Sequence, residues 1–380
     1  MCRVCYIHSP ARFYRRFNGR WVPKMAGEAN PKVRVNREIL QEFTKQMFHK
    51  AGLTEKNAAL AAQALVNADA RGHESHGVTR LEVYLDRIRE GGSSATAEPV
   101  IVSDSGASAV VDGQNALGLV VGYFGMSHAI ELSKKFGIGA VACRNSGHFG
   151  PAAEYALMGS ANGNNCITFS ISNATKAMAP WGSISPILGN NPIAIAAPTG
   201  NQPFVLDMAL STVARGKIRL AAARGEEIPL GWGLDATGAP TTDAKAAIAG
   251  LITPLGGPKG SGLAIAFDII AALLSGAATT PDLVPQSELD KAQNVGHFFM
   301  SLHIPHFVNI DEYMSRVDLM LSNIRNSTPA AGVTQIYAPG DLELASELRA
   351  NKEGIALQIP TWESLKKKAA ELNVQLPPTL

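Results

Sequence analysis

The sequence predicts an α/β protein in which a mixed central sheet is inserted between helical segments at the two ends of the chain. Three observations carry that expectation. Apolar residues recur at helical spacing in the first and last thirds, and short β-branched runs fill the middle. Three of those runs also follow one another across Gly/Pro/Asn-rich turns too short for a crossover helix, so the sheet is not uniformly parallel. The 380 residues exceed the roughly 250–300 that one core supports. The chain therefore divides into an unstructured extension over 1–33, a helical domain from 34–108 and 311–380, and an α/β domain over 109–310.

The extension opens MCRVCYIHSPARFYRRFNGRWVPK, which is basic and lacks the apolar stretch of a secretory signal, and reads as a disordered extension or an upstream start with Met25 opening the functional chain, a transit-like leader being the alternative. Cys2 and Cys5 form a lone CxxC without a second ligand pair, and with Cys143 and Cys166 they make no disulfide framework. A reducing, cytoplasmic setting without a metal site follows. Asn36 opens a helix with Ile39, Leu40, Phe43, Met47 and Phe48 on one face. Thr54 caps an Ala-rich second helix to about Ala70, and a third places Leu81, Tyr84, Leu85 and Ile88 together before Gly91. Strands are expected over 109–111, 138–142, 167–171, 193–197 and 204–206, and helices over 117–135, 152–161 and 211–223. Residues 262–274 are apolar but too short to span a bilayer and contain Asp268. A strand over 297–304 and helices near 311–323, 342–351 and 362–372 close the chain. The 34 basic and 32 acidic residues give a net charge of +2, and outside the tail they interleave, which excludes nucleic acid or an anionic membrane as partner.

The densest polar cluster is RGHESHGVTR over 71–80, between the second and third helices. With Ser75 as N-cap, His76 falls in the first helical turn and Arg80 one turn on, so both project from one face. The helix N-terminus and Arg80 would keep His76 a neutral base near pH 7, while Arg80 offers the planar fork that grips a carboxylate. The pair suits a 2-hydroxy or 2-oxo acid. A capping serine beside a solvated histidine and a surface arginine is the plainer alternative. His148 stands in RNSGHFG at the end of an expected strand and is a second candidate. Gly137-Ile-Gly139-Ala-Val-Ala142 matches the dinucleotide fingerprint only in letters, because these glycines end a helix and enter a strand, the reverse of a Rossmann turn. PLGGPKGSG before residue 263 does place Gly256, Gly257 and Lys259 at the start of a helix, as a phosphate cradle requires. It lacks the Walker spacing, so ATP hydrolysis has no support.

Taken together, SHGVTRLEVYLDRIREG, RNSGHFGPAAEYA, SNATKAMAPWG, LGNNPIAIAAP, FVLDMALSTVARGKI, PLGGPKGSGLA and APGD resemble the malate/L-lactate dehydrogenase family of the second type, from about Val33 to Leu372. The resemblance implies a non-Rossmann NAD(P)-binding domain, a homodimer, and hydride transfer between NAD or NADP and a small 2-hydroxy or 2-oxo acid. It places a Ser-His pair on Ser75 and His76, carboxylate binding on Arg80 and a strand-end histidine on His148. Cofactor contacts fall on Ser172, Asn173, Leu206, Asp207, Met208, Ala209, Gly256, Gly257, Lys259, Gly340 and Asp341. Asp341 departs from the larger acid that commonly follows Pro-Gly in the family. In this reading His76 exchanges the hydroxyl proton with Ser75 as relay, and Asp207 orients an imidazole or serves as the acid of an imine-reducing relative. The alternatives are a cyclic imino acid reductase of the same family, a Ser75–His76 hydrolase and a non-catalytic small-ligand-binding protein. The choice of acid, and of NAD or NADP, stays open.

Overall fold

The computed structural model describes residues 32–380 and, of the preceding segment, the backbone of Tyr14–Phe17 and Arg20–Pro23, which pair antiparallel. Cys2, Cys5 and Met25 lie outside the described residues. Seven strands form the main sheet: β1 (Val100–Asp104), β2 (Ser108–Asp112), β3 (Ile138–Ser146), β4 (Cys166–Ser172), β5 (Ile193–Ala197), β6 (Phe204–Met208) and β7 (Val295–His303). Their order is β6-β5-β4-β7-β3-β2-β1. The sheet is mixed, as the short turns require: β2 and β3 run parallel and the other neighbours antiparallel. The parallel pair is the one joined by a helix, since a two-residue turn cannot return a strand in the same direction.

The helices are α1 (Arg37–Lys50), α2 (Glu55–Ala70), α3 (Leu81–Glu90), α4 (Gly118–Phe136), α5 (Ala152–Ala156), α6 (Arg215–Arg224), α7 (Ala244–Ala249), α8 (Pro258–Asp268), α9 (Ile310–Arg325), α10 (Asp341–Glu353) and α11 (Ile359–Leu372). Asn36 Oδ1 accepts from the amides of Glu38 and Ile39, and Thr54 Oγ1 from that of Asn57, which fixes the first two helix starts as predicted. Gly137 ends α4 with φ of 85° and leads into β3, so the GxGxxA string is a helix stop.

One core joins Leu40, Leu65 and Tyr84 of the first helices to Val141 and Phe299 of the sheet and Trp362 of α11. A smaller core of Met178, Leu188, Leu210, Ile218, Ile252 and Ala264 packs under a second sheet of five short strands, forming a small lobe. Its strands Lys176–Met178, Leu188–Gly189, Gly233–Leu234, Pro240–Thr241 and Leu251–Ile252 are too short to show a period in sequence. β1 was equally hidden, because its residues are exposed on both faces and do not alternate.

Two expected helix starts move, and the helix expected over 152–161 stops at Ala156 and gives way to a 3₁₀ turn over Leu157–Ser160. The helix over 211–223 begins at Arg215, because Ser211 is held in a bridge to Pro254. The third helix begins at Leu81, and Ser75 caps nothing. Residues Glu74–His76 and Val78–Arg80 form two single 3₁₀ turns broken at Gly77, whose extended ψ of −153° interrupts the helix.

Candidate active site

The 3₁₀ turns still bring the predicted groups together. Ser75 Oγ and His76 Nδ1 hydrogen-bond at 2.9 Å, and the rings of His76 and His148 stack with centroids 5.6 Å apart and planes 25° from parallel. His148 Nδ1 hydrogen-bonds Tyr84 Oη at 2.6 Å, from a phenol only 2 % exposed. In both rings Nδ1 is therefore occupied by a hydroxyl, joined in His148 by the Gly150 amide at 3.4 Å, and Nε2 is the nitrogen left for a ligand.

Arg80 Nε donates to the Ser75 carbonyl at 2.8 Å and Nη1 to Gln286 Oε1 at 3.4 Å. Among the described residues no carboxylate pairs with it, so Nη2 and the second Nη1 hydrogen remain for an anion. His76, Arg80 and Tyr84 recur at every fourth residue, a spacing that would have drawn Tyr84 into the site had it not also fitted the apolar face of the third helix. Gln286 and Gln293 had no such signal. They lie about two hundred and one hundred and fifty residues from their partners, and Gln293 Oε1 accepts from the His148 amide at 3.2 Å.

Burial, followed by the charge of Arg80, lowers the His76 pKa to about 4. The expected direction holds, but its cause is burial and not a helix N-terminus. Burial also pushes His148 well below its ordinary value, with His76 and Arg80 adding to the effect. Both rings are neutral in the resting protein.

Behind His148 the strand end is tied by buried side chains. His297 bridges Ser172 Oγ, 2.9 Å from Nδ1, and Ser146 Oγ, 2.8 Å from Nε2, and it stacks on Phe149 with centroids 4.5 Å apart. Ser172 Oγ also donates to the Asn173 carbonyl, and Asn173 spends both amide hydrogens on Asp268 Oδ1 and the Ala278 carbonyl. The side chains of this pair thus hold β4, β7 and α8 together. Asp207 Oδ2 accepts from the Ala153 amide at 3.2 Å, capping the turn that follows His148, and burial raises its pKa against the opposing charge of His73. Leu206, Met208 and Ala209 flank it where β6 runs out toward the small lobe.

The glycine-opened helix lies on that lobe. Gly256 and Gly257 have φ of 60° and 66°, and Gly257 is the N-cap of α8 without a side-chain cap. A Cβ at Gly257 would meet the Trp181 ring at 2.9 Å, whereas Gly256 faces open space. Lys259 is exposed, and no described carboxylate pairs with it. The Gly257 and Gly260 amides already donate to the carbonyls of Pro254 and Leu255 and Pro258 has none, so the Gly256 and Lys259 amides beside the Lys259 ammonium are the donors that suit the pyrophosphate of an NAD(P) cofactor. Gly340 is the N-cap of α10 with φ of 99°, packed against Val205. The Asp341 carboxylate receives Arg325 at 2.7 and 3.0 Å and the Ala338 amide at 2.8 Å, and the Arg325 hydrogen bonds hold its pKa down. Both residues border a cavity of about 480 Å³ shared with Arg71, Val205 and Arg325.

A neutral histidine pair beside an unpaired guanidinium, on a sheet that is not Rossmann-like, suits proton exchange on a small carboxylate, and the class of protein that carries it is a dehydrogenase family. Residues 35–366 match the malate/L-lactate dehydrogenase family, and the chain belongs to it. The (2R)-3-sulfolactate dehydrogenase (NADP(+)) of Chromohalobacter salexigens is 38% identical over 274 residues, 71% of this chain and 80% of that one. The ureidoglycolate dehydrogenase (NAD(+)) of Escherichia coli is 31% identical over 327 residues, 86% and 93% of the two chains. The solved malate dehydrogenase of Pyrococcus horikoshii superposes with a TM-score of 0.84 at 35% identity, covering 92% of this chain and 98% of its own. The hydrolase and binding-protein alternatives fall with this result, although Ser75 and His76 do hydrogen-bond. No helix among the described residues is long and apolar enough to cross a membrane.

Proposed function

We propose that the protein oxidises a small 2-hydroxy acid, or reduces the matching 2-oxo acid, with Arg80 holding the C1 carboxylate and His148 exchanging the proton. A bound NAD(P) supplies the hydride acceptor or donor. The observation that carries the assignment is the buried Tyr84–His148 hydrogen bond beside an unpaired Arg80. For oxidation the Nε2 lone pair must be free, so Nδ1 carries its hydrogen toward Tyr84 Oη and gives up the long 3.4 Å contact from the Gly150 amide, and the phenol can donate to the His148 carbonyl 3.4 Å away. A base held by a third group in a buried setting is better placed than one held by an exposed hydroxyl, and this favours His148 over His76 for the proton. His76, held by Ser75, offers Nε2 to the same substrate oxygen. Gly256 and Lys259 take the cofactor's phosphates, and Gly257, whose amide is bonded to the Pro254 carbonyl, shapes the loop that presents them. Asp207 as an imine-reducing acid is the weaker reading, because its oxygen is already engaged with Ala153.

The test compares His148→Asn with His76→Asn. Turnover of 2-oxo acids should collapse in the first, with NADH or NADPH binding intact by nicotinamide fluorescence. If His76→Asn collapses and His148→Asn does not, the proton belongs to His76. We also propose a cytoplasmic homodimer. The free, buried Cys143 and Cys166 support a reducing compartment, and the exposed Leu263, Ile269, Leu273 and Leu274 on and just after α8 support a self-association face. A monomer by light scattering at micromolar concentration would remove the dimer.

A further inference from the structure

We infer that Asp69 is the positioning residue that sets His76 and Arg80 at their working separation, by gripping the peptide midway between them. Asp69 lies in the last turn of α2, and its Oδ2 accepts from the Val78 amide at 2.7 Å. Val78 sits two residues after His76 and two before Arg80. Neither 3₁₀ turn has a side-chain cap of its own, so this carboxyl group supplies the polar partner that the Gly77 break would otherwise leave missing.

Gly77 shows how closely the grip is fitted. Its φ of −85° suits any residue, so conformational freedom does not explain a glycine there. Space does. A Cβ at position 77 would fall inside the Asp69 carboxyl group. The Val78 side chain is buried in the main core on the other side of the same peptide, so the turn is fixed both by packing and by Asp69. Asp69 hydrogen-bonds neither His76 nor Arg80, and its grip on them runs through the Val78 amide.

No cation pairs with Asp69 among the described residues. Burial pushes its pKa up to about 8, with the Val78 amide opposing, and the nearby Lys32 is committed to Glu74 at 2.6 Å. At neutral pH the group is then a carboxylic acid, whose carbonyl oxygen is all the Val78 amide requires. An asparagine amide offers the same oxygen in the same volume.

The inference rests on the roles of His76 and Arg80 proposed above, and its test separates the two. In the full-length protein, Asp69→Ala should raise the substrate KM by about tenfold or more and lower kcat, since misplacement by about 1 Å in a site can cost up to about 10²-fold. The dissociation constant of NADH, read by nicotinamide fluorescence, should stay unchanged because the cofactor loop is elsewhere. Asp69→Asn should restore KM and kcat close to the parent values. Gly77→Ala should reproduce the Asp69→Ala defect while Asp69 is present, and should add little once Asp69 is alanine. A parent-like KM in Asp69→Ala, an Asp69→Asn protein as impaired as Asp69→Ala, or additive Gly77 and Asp69 defects would overturn the inference. Should Asp69→Ala not fold, Asp69→Asn and Gly77→Ala still decide it, because the first must retain and the second must lose substrate affinity. An Arg80→Lys protein with unchanged substrate KM would instead sink the assignment beneath it.

Discussion

The substrate end and the cofactor end of the site are built by opposite means. Around His148 and His76 each ring is tied at Nδ1 to a hydroxyl, and the strand end behind them is tied through His297 and the glutamine that caps the His148 amide. On the small lobe the loop at Gly256 and Gly257 takes its shape from backbone angles, and Lys259 is left without an ion-pair partner. The first region is organised before any ligand arrives. The second leaves the Gly256 and Lys259 amides and the Lys259 ammonium for a ligand to complete. Proton transfer tolerates little misplacement, whereas a phosphate accepts amides from a range of directions.

The largest effect that would test this contrast is His148→Asn. It should lower turnover by about 10²–10⁴-fold, the usual contribution of a positioned acid or base, with cofactor affinity unchanged. The pH profile should carry the same signature. Burial keeps the rings neutral well below pH 6.5, so oxidation of the hydroxy acid should stay level through pH 6 and fall only as pH approaches the His76 value of about 4 or the depressed value of His148. Reduction needs the imidazolium and should rise in the same direction. An oxidation limb centred near pH 6.5 would show that the rings are not held as described.

Lys259→Ala comes next and probes the other region. Losing one charge-assisted phosphate contact, worth about 1.5–3 kcal/mol, should weaken NADH binding by about 10–100-fold and leave the substrate KM alone. If nicotinamide fluorescence gives an unchanged dissociation constant, the small lobe does not hold the phosphates. Arg80→Lys should be milder at about tenfold in substrate KM, since it keeps the charge and loses only the fork, and kcat should move less than KM. A cofactor defect in that protein would blur the two regions into one.

How much of each region was legible follows from the same difference. Ser75, His76, Arg80 and His148 were legible as candidates, as a dense polar cluster and a strand-end histidine, and the fold brings them together. The caps at Asn36 and Thr54 and the stop at Gly137 were equally plain, each being a local rule obeyed locally. Tyr84, Gln286 and Gln293 were not, since the contacts that define them join parts of the chain brought together only by the sheet. The start of α3 was misplaced because an N-cap signature at Ser75 loses to a glycine forced into close approach with Asp69. Ser172 and Asn173 read as nucleotide contacts, yet the fold uses their side chains to bind its own strands. A local string of Asn and Ser cannot say which partner its hydrogen bonds will find.

The smallest expected effect concerns acid stability, and it too divides the molecule. His297 is fully buried and its pKa is lowered to about 3 by burial from an ordinary value of 6.5. With the folded value below the unfolded one, the unfolded chain takes up the proton first as pH falls. The native state therefore loses stability from about pH 6.5 downward, and the loss saturates only near pH 3. At pH 6 the difference is about 0.8 kcal/mol for this one group. His76 and His148 shift the same way and add to it. Residues 174–268, which make up most of the small lobe, contain no histidine. Lowering the pH from 7.5 to 6 should accordingly increase hydrogen exchange in β3, β4 and β7 before it does so in α6, α7 or the start of α8. His297→Gln should flatten that dependence, because the amide keeps the two hydroxyl partners and removes the titrating ring. Equal acid sensitivity in both regions, or a His297→Gln protein as acid-sensitive as the parent, would mean that the buried histidines do not govern where the molecule loosens first.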